Sequence, residues 1–186
     1  MRMGFLSKLR YAGIDRRELI HNYKQFARTA LEYCSVAYHS SLTEAQSNTL
    51  ERCQAVALRI ILQEDYETYS SALTLTGLDR LSTRRTSRCL DFSLKCTAHA
   101  QNSRFFPINP NLVDTQEVRD REKFKVNFAR TQQYQNSAIP YCQRLLNKHV
   151  REKQAEELAG ADRDAGAAAG ARAGTTAGTR ARGQGG

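Results

Sequence analysis

The stretch Tyr23–Leu62, YKQFARTALEYCSVAYHSSLTEAQSNTLERCQAVALRIIL, decides the fold class of this chain. It contains two segments in which apolar residues recur every three or four positions, the spacing of one buried helical face. Between them, Thr43 and Gln46 have the spacing of a capping box, which starts the second helix. Because the link around residues 39–42 is short, the pattern predicts an antiparallel helical hairpin.

Each helix of the hairpin has a start signal and an apolar face. Asp15 can cap the first helix, and Glu18 three residues later completes a capping box there too. Its expected buried face consists of Leu19, Ile20, Tyr23, Phe26, Ala27, Ala30, Leu31 and Cys34. The expected buried face of the second helix consists of Leu50, Cys53, Val56, Ala57, Ile60 and Ile61.

Further helices are expected on both sides of the hairpin. An apolar run before Gly13 predicts a short first helix that the glycine ends in a left-handed conformation. Downstream, the periodicity predicts a weaker helix at residues 69–75, closed by Gly77, and a strong one from about residue 82 to residue 100. The strong helix is expected to pack through Leu81, Cys89, Phe92 and Cys96.

Beyond residue 100 the helical pattern weakens, because Pro107 and Pro110 interrupt it. The alternation of Phe124, Val126 and Phe128 predicts a short extended arm on the surface. A last helix is expected over residues 137–149, with a proline tolerated in its first turn.

The C-terminal residues have a different composition. Residues 160–186 are mostly Ala and Gly and contain no large apolar side chain, so burial cannot offset the entropy of ordering them. We therefore expect a mainly α protein, a small multi-helix domain built on the antiparallel helical hairpin. The domain spans residues 1–150, and residues 151–186 contain the end of a helix and a disordered Ala/Gly-rich tail.

The composition of the 186 residues narrows the functional class. If the protein has a ligand, the net charge of +9 favours an anionic one, such as nucleic acid or an acidic membrane surface. The charge alone indicates a solvated basic surface without a ligand equally well. The five cysteines, odd in number and without a CxxC pair, indicate reduced thiols in an intracellular protein, cytoplasmic or nuclear. No apolar run has the length of a membrane span or a signal peptide.

Residues that could carry catalysis are sparse. The chain has no adjacent aspartate pair of the kind that holds two Mg²⁺ ions in polymerases, and Asp162 and Asp164 fall in the predicted tail. It has no glycine-rich phosphate loop. Cys89, Cys96 and His99 share a helical face, but a tetrahedral zinc site lacks a fourth ligand. We expect no catalytic residue, metal or cofactor; the alternative is an unrecognised Cys/His enzyme site.

Two groups of cations are the strongest functional signal. The first group is Arg80, Arg84, Arg85 and Arg88. The second is Lys123, Lys125 and Arg130, interleaved with Phe124, Phe128 and Tyr134. Cations neutralise phosphates and aromatic rings stack on exposed bases, so these residues indicate contact with a nucleic-acid backbone without base readout. The alternative is that the cations are solvated and the aromatics anchor in the core.

The first group places positive charge near the start of a predicted helix. Arg84, Arg85 and Arg88 occupy the first turns of the predicted helix, where positive charge is unfavourable. An anionic partner at that end would stabilise the helix.

Several short sequence motifs, which we call landmarks, occur in the same order as in one protein family. They are FLSKLRYAG, LEY, the pair Tyr38-His39, LERCQAVALRII, DYETYSSALTLTGLDRLSTRR, FFPINP and SAIPYCQRLLN. In this order, over roughly residues 5–148, the chain resembles the C-terminal region of reverse transcriptases from non-LTR, jockey-like retrotransposons, the thumb and the segment after the palm. It departs from the family at Tyr38, where Trp is frequent, and at Thr29, where Pro is frequent.

The resemblance implies a thumb that packs on a polymerase palm and grips the backbone of an RNA–DNA or DNA duplex. The palm and its metal-binding aspartates would lie upstream, so this chain would be a fragment of an RNA-directed DNA polymerase and not an enzyme by itself. The implied partners are nucleic acid and the palm, with no membrane. The alternative is an orphan helical structural or interaction domain without a ligand, a degenerate remnant of a mobile element.

Overall fold

A computed structural model describes residues 2–110 and 122–175 of the chain. The α-helices are α1 (Arg2–Tyr11), α2 (Arg16–Asn22), α3 (Thr29–Leu31), α4 (Ser35–Tyr38), α5 (Glu44–Leu62), α6 (Tyr69–Thr76), α7 (Leu81–Ala98), α8 (Gln132–Gln135) and α9 (Ala138–Thr175). A π-helical segment, Tyr23–Arg28, joins α2 to α3, and 3-10 turns occupy His39–Ser41, Gln63–Asp65 and Ser103–Phe105. The predicted mainly α fold class is confirmed.

The chain divides into two compact units. The first ends at Leu146 and contains α1 to α8 and the start of α9. The second begins at Asn147 and contains the rest of α9, in which Lys148 and Glu152 form an ion pair of 3.7 Å between successive helical turns. The backbone of α9 continues to Thr175, and residues 176–186 of the predicted tail lie outside the described residues.

The predicted hairpin pairs α2 and the π-helical segment with α5. Arg16, at the start of α2, forms an ion pair with Asp65, just beyond the end of α5. Seven residues further along, at the first residue of the π-helical segment, the Tyr23 hydroxyl donates to Gln54 Oε1 in the middle of α5 at 2.8 Å. Because residue numbers rise along one helix as they fall along the other, the two are antiparallel.

The main core lies between the two arms of the hairpin, with α1 and α6 packed against it. Its buried apolar residues are Leu6, Leu19, Tyr23, Ala27, Ala57, Leu58, Ile61, Leu62, Ala72, Leu73 and Leu78. Burying each large aliphatic side chain stabilises the fold by roughly 2 kcal/mol.

Most of the predicted start and stop signals of the helices are present in the structure. Thr43 and Gln46 form the predicted capping box of α5, and Gly13 and Gly77 adopt φ values of 81° and 62°, which L side chains disfavour. Asp15 caps α2 through the backbone amide of Arg17. Arg17 is the second residue of the helix, whereas a capping box uses the third, Glu18. The predicted bond from the Asp15 amide to the Glu18 side chain does not form.

The first arm departs from the prediction at the π-helical segment. Bonding from i to i+5 places more residues in each turn, so the buried positions shift after Tyr23: Ala27 stays in the core, whereas Phe26 leaves the predicted face. Phe26 is therefore 53% exposed, and its ring contacts Phe5 edge-on at 5.9 Å. Helix α3 ends at Leu31, and Cys34, in the turn before α4, has a left-handed φ of 51°; this predicted core residue is exposed. The link to α5 is consequently longer than predicted, since α4 and a 3-10 turn occupy it.

Two further residues that were predicted to be buried, one on α5 and one on α7, are exposed. Val56 on α5 is 43% exposed because Ala57, Leu58 and Ile61 form the stripe that packs in the core. Phe92 on α7 is 40% exposed because Ser93 occupies the buried position.

The predicted extended arm lies against the turn that precedes residue 110. Ile108 and Phe124 form an isolated antiparallel bridge. The Lys125 amide donates to Pro107 O at 2.9 Å, and the Asn127 amide donates to Gln143 Oε1 on α9 at 2.8 Å. No helix within residues 2–110 and 122–175 is long and apolar enough to cross a membrane.

Candidate nucleic-acid interface

Helix α7 separates the first predicted cation group into two sets. Its buried stripe repeats at intervals of three or four residues and consists of Leu81, Arg85, Cys89, Ser93 and Cys96. Arg80, Arg84 and Arg88 also repeat at intervals of four, so they share a different, outward face. Three of the four predicted arginines are therefore together on the surface, and Arg85 is not among them.

A buried carboxylate holds two of the outward arginines. Glu32, the residue after α3, is 1% exposed. Arg84 donates to it twice, from Nε to Oε1 at 2.5 Å and from Nη2 to Oε2 at 3.3 Å, and Arg88 Nη2 lies 3.0 Å from Oε2. The hydrogen bond to Glu32 raises the pKa of Arg84 above its usual value. Glu32 thus fixes the positions of both guanidinium groups.

A third guanidinium, which the sequence did not indicate, belongs to the same cluster. Arg28 ends the π-helical segment. Burial lowers its pKa below the usual arginine value and the nearby charge of Arg84 lowers it further, whereas Glu32 opposes the shift. Within the described residues its side chain has no hydrogen bond or ion pair. Glu32 thus pairs with Arg84 and Arg88, and its charge also acts on Arg28, while the charge of Asp79 acts on Arg84 as well. Positive charge exceeds negative charge in this cluster.

A carboxylate of this chain supplies negative charge at the start of α7, where an anionic partner would be stabilising. Glu51 on α5 accepts hydrogen bonds from the Ser82 amide at 2.7 Å and the Leu81 amide at 3.3 Å. It also accepts from the Tyr69 hydroxyl at 2.5 Å. Burial raises the pKa of Tyr69, and the bond to Glu51 raises it further. Arg80 stacks over the Tyr69 ring at 5.6 Å.

Arg85 is placed where no phosphate reaches it, which corrects its predicted role as a surface contact. It is 0% exposed. Its Nη2 donates to Ser47 Oγ at 2.8 Å and its Nε donates to His39 Nδ1 at 3.4 Å. Its Nη1 has no partner among the described residues. Arg85 is thus a buried cation bonded to neutral acceptors.

His39 connects this buried arginine to α9. Because Nδ1 accepts from Arg85, the ring hydrogen belongs on Nε2, which lies 3.1 Å from the Tyr141 hydroxyl and 3.2 Å from Thr86 Oγ1. The rings of His39 and Tyr141 meet edge-on at 5.3 Å. Burial lowers the pKa of His39, and the adjacent Arg85 charge lowers it further. A neutral imidazole is therefore part of the folded structure.

The aromatic residues of the second predicted cation group differ in their exposure to solvent. Phe124 is 8% exposed, with Lys123 Nζ 5.9 Å from its ring centre, so this aromatic is a core anchor. Phe128 is 85% exposed, and Lys125 and Arg130 on either side of it are exposed as well. Tyr134, further along the chain, is 45% exposed.

None of the five cysteines forms a disulfide in the structure, and Cys34 is exposed. Cys89, Cys96 and Cys142 are buried, and Cys142 Sγ lies 3.9 Å from the Cys89 carbonyl oxygen. His99 is exposed just beyond the end of α7, and its backbone amide donates to Cys96 O at 3.3 Å. Within the part of the chain that the structure describes, no three His, Cys, Asp or Glu side chains are grouped to hold a metal ion.

Comparisons of the chain with family models, with curated proteins and with solved structures gave no match in any of the three.

Proposed function

We propose that this chain is a non-catalytic module that binds nucleic acid through the phosphate backbone, without sequence readout. The contact surface is the arginine patch, defined as Arg28, Arg80, Arg84 and Arg88. The observation that carries the proposal is the arrangement of three guanidinium groups around the single buried carboxylate of Glu32. Partly ordered guanidinium groups that outnumber the carboxylates beside them are suited to neutralising phosphates.

Glu32 orders these arginines without using all their hydrogen-bond donors. A guanidinium carries five N–H donors. Glu32 accepts two bonds from Arg84 and one contact from Arg88. The Arg84 side chain remains 26% exposed and that of Arg88 45% exposed, so donors of both groups face solvent. Ordering before binding lowers the entropy lost when a phosphate is bound.

For the origin of the module we propose the thumb and following region of a non-LTR retrotransposon reverse transcriptase. The order of the sequence landmarks supports this origin, and a helical hairpin beside a basic helix is compatible with a thumb. On this proposal the partners are an RNA–DNA or DNA duplex and a polymerase palm. The chain itself does not polymerise, and it acts inside the cell, where its cysteines remain thiols.

The test compares charge loss inside and outside the patch. Arg88→Ala should weaken binding of an RNA–DNA hybrid of about 20 base pairs severalfold, from a dissociation constant on the order of 1–100 μM for the unmodified chain. Arg52→Ala removes an exposed charge from α5 and should leave binding nearly unchanged. Fluorescence anisotropy with a labelled hybrid measures both. Equal weakening by the two substitutions would mean that net charge, and not the patch, governs binding.

A second candidate function is an interaction domain without a nucleic-acid ligand. Exposed apolar side chains favour it: Phe5 and Phe26 are 46% and 53% exposed. On α1 and α5, Tyr11 and Val56 also line an open groove of about 530 Å³. This candidate predicts concentration-dependent self-association in sedimentation velocity that Phe26→Ser reduces, with no binding of the hybrid. A monomeric chain that binds the hybrid would exclude it.

A further inference from the structure

We propose that Phe128, with Lys125 and Arg130, forms a site for single-stranded nucleic acid in which an unpaired base stacks on the phenyl ring. We call these three residues the Phe128 site. The inference rests on the proposed function for its partner class, nucleic acid. It adds a contact chemistry that the arginine patch does not have.

The backbone of the arm is fixed up to the residue before the ring. The Asn127 amide donates to Gln143 Oε1 at 2.8 Å. Gln143 is buried, and its Nε2 donates to Phe105 O at 2.7 Å. The Lys125 amide is bonded to Pro107 O at 2.9 Å. The ring of Phe128 therefore projects from an anchored segment while its faces remain in solvent.

The charge beside the ring has the sign that phosphates require. Lys125 and Arg130 are exposed, and neither side chain forms an ion pair within the described residues. The stretch from Lys125 to Arg130 has five residue-to-residue steps, which span at most about 17 Å in extended backbone. Two long cationic side chains on either side of the ring can thus contact phosphates that flank a stacked base.

Single strands fit this site better than duplexes. In a duplex each base is already stacked between its neighbours, so its faces are closed to a protein ring. In a single strand the faces are open, and aromatic stacking is tolerant of sequence because every base has a π face. Phe124, four residues earlier and buried, cannot serve in this way.

The chain contains no tryptophan, so one introduced indole is an unambiguous reporter. Phe128→Trp should bind an oligothymidylate of about 12 nucleotides, and stacking should quench the indole fluorescence. Leu75→Trp is the matched control: Leu75 is 60% exposed on α6, Ser71 one turn earlier is uncharged, and Asp79, beyond the end of the helix, is acidic. Its fluorescence should not change.

An abasic strand of the same length and charge separates stacking from electrostatics. It should bind the Phe128→Trp chain about tenfold more weakly than the oligothymidylate and without quenching. Equal affinity for the two strands, or no quenching at saturation, would overturn the proposal.

The natural chain gives the complementary measurement. Phe128→Ala should weaken oligothymidylate binding about tenfold and change hybrid binding by less than about twofold. Arg88→Ala should have the larger effect on the hybrid. If the natural chain binds the hybrid but not the oligothymidylate, the proposal of stacking at Phe128 is wrong and the proposal of the arginine patch stands. If neither nucleic acid binds, the proposed function fails with it.

Discussion

Glu32 and Arg84 form a two-point ion pair between the end of the first hairpin arm and the first turns of α7, with Nε and Oε1 2.5 Å apart. The carboxylate is almost completely buried, whereas the guanidinium is partly exposed. A buried charge is tolerated when it is paired and hydrogen-bonded. Because Arg88 binds the same carboxylate, the pair also organises the surface that we propose contacts phosphate.

Replacing Glu32 tests that organising role. Glu32→Gln removes the negative charge while keeping the shape, so two guanidinium groups lose their partner. We expect the free energy of unfolding to fall by about 2 kcal/mol, less than for a fully buried pair because Arg88 is 45% exposed. Urea unfolding measures the change. Glu67→Gln, at an exposed position, is the control and should change stability by less than about 0.5 kcal/mol. Equal effects would contradict the role of Glu32.

Replacing Arg85, unlike replacing an arginine of the patch, should leave nucleic-acid binding unchanged. Arg85→Met removes a buried cation that no carboxylate compensates, together with its bonds to His39 and Ser47. We expect stability within about 1 kcal/mol of the natural chain, since buried charges are often replaceable by apolar groups of similar size. Hybrid affinity and its salt dependence should not change. A loss of affinity like that of Arg88→Ala would show that Arg85 reaches the ligand.

Stability should depend on pH through His39. Its folded pKa lies below the usual value of about 6.5 because of burial and the Arg85 charge. Above that value both folded and unfolded chains hold neutral imidazole. As pH falls below it, the unfolded chain binds the proton first, so stability decreases by at most about 1.4 kcal/mol per pH unit.

Urea midpoints between neutral pH and mildly acidic pH measure this dependence. His39→Gln keeps an acceptor for Arg85 and should flatten the slope, whereas His21→Gln, at an exposed position, should not. An unchanged slope in His39→Gln would assign the titration to another group.

Glu51 should be important for the start of α7. Glu51→Ala removes the acceptor for two backbone amides and for the Tyr69 hydroxyl. We expect a loss of about 3 kcal/mol, against about 1 kcal/mol for Tyr69→Phe, which removes one of the three bonds. Chemical denaturation of both variants gives the comparison. A smaller loss for Glu51→Ala than for Tyr69→Phe would show that water replaces the carboxylate.

Helix boundaries with short-range causes were predictable from the sequence. Thr43 and Gln46 are three residues apart, and both halves of the capping box form. Gly77 closes α6 because a residue without a Cβ adopts a left-handed φ without strain. These interactions involve neighbours in the chain, so their residue types predicted them, whereas the same spacing at Asp15 and Glu18 yields only the Asp15 cap.

The course of the first arm was not predictable in the same way. Regular α periodicity placed Phe26 and Cys34 on the buried face, whereas the π-helical segment and the left-handed φ of Cys34 leave both exposed. Neither feature has a sequence signature comparable to a glycine or a proline.

The candidate site was predictable in composition and not in geometry. The sequence located the arginines of α7, but Glu32 lies 52 residues from Arg84 along the chain, and no local pattern joins them. The burial of Arg85 likewise depends on His39, 46 residues away. Which cations are paired, buried or exposed follows from tertiary packing.

The salt dependence of hybrid binding tests the central claim most directly, because each neutralised phosphate releases counterions. We predict that log K falls linearly with log salt concentration, and that replacing Arg28 and Arg88 together by alanine reduces the slope by about 2. Arg52→Ala should leave the slope of the natural chain unchanged. Binding that is insensitive to salt, or a double variant with the slope of the natural chain, would contradict the arginine patch as the nucleic-acid contact.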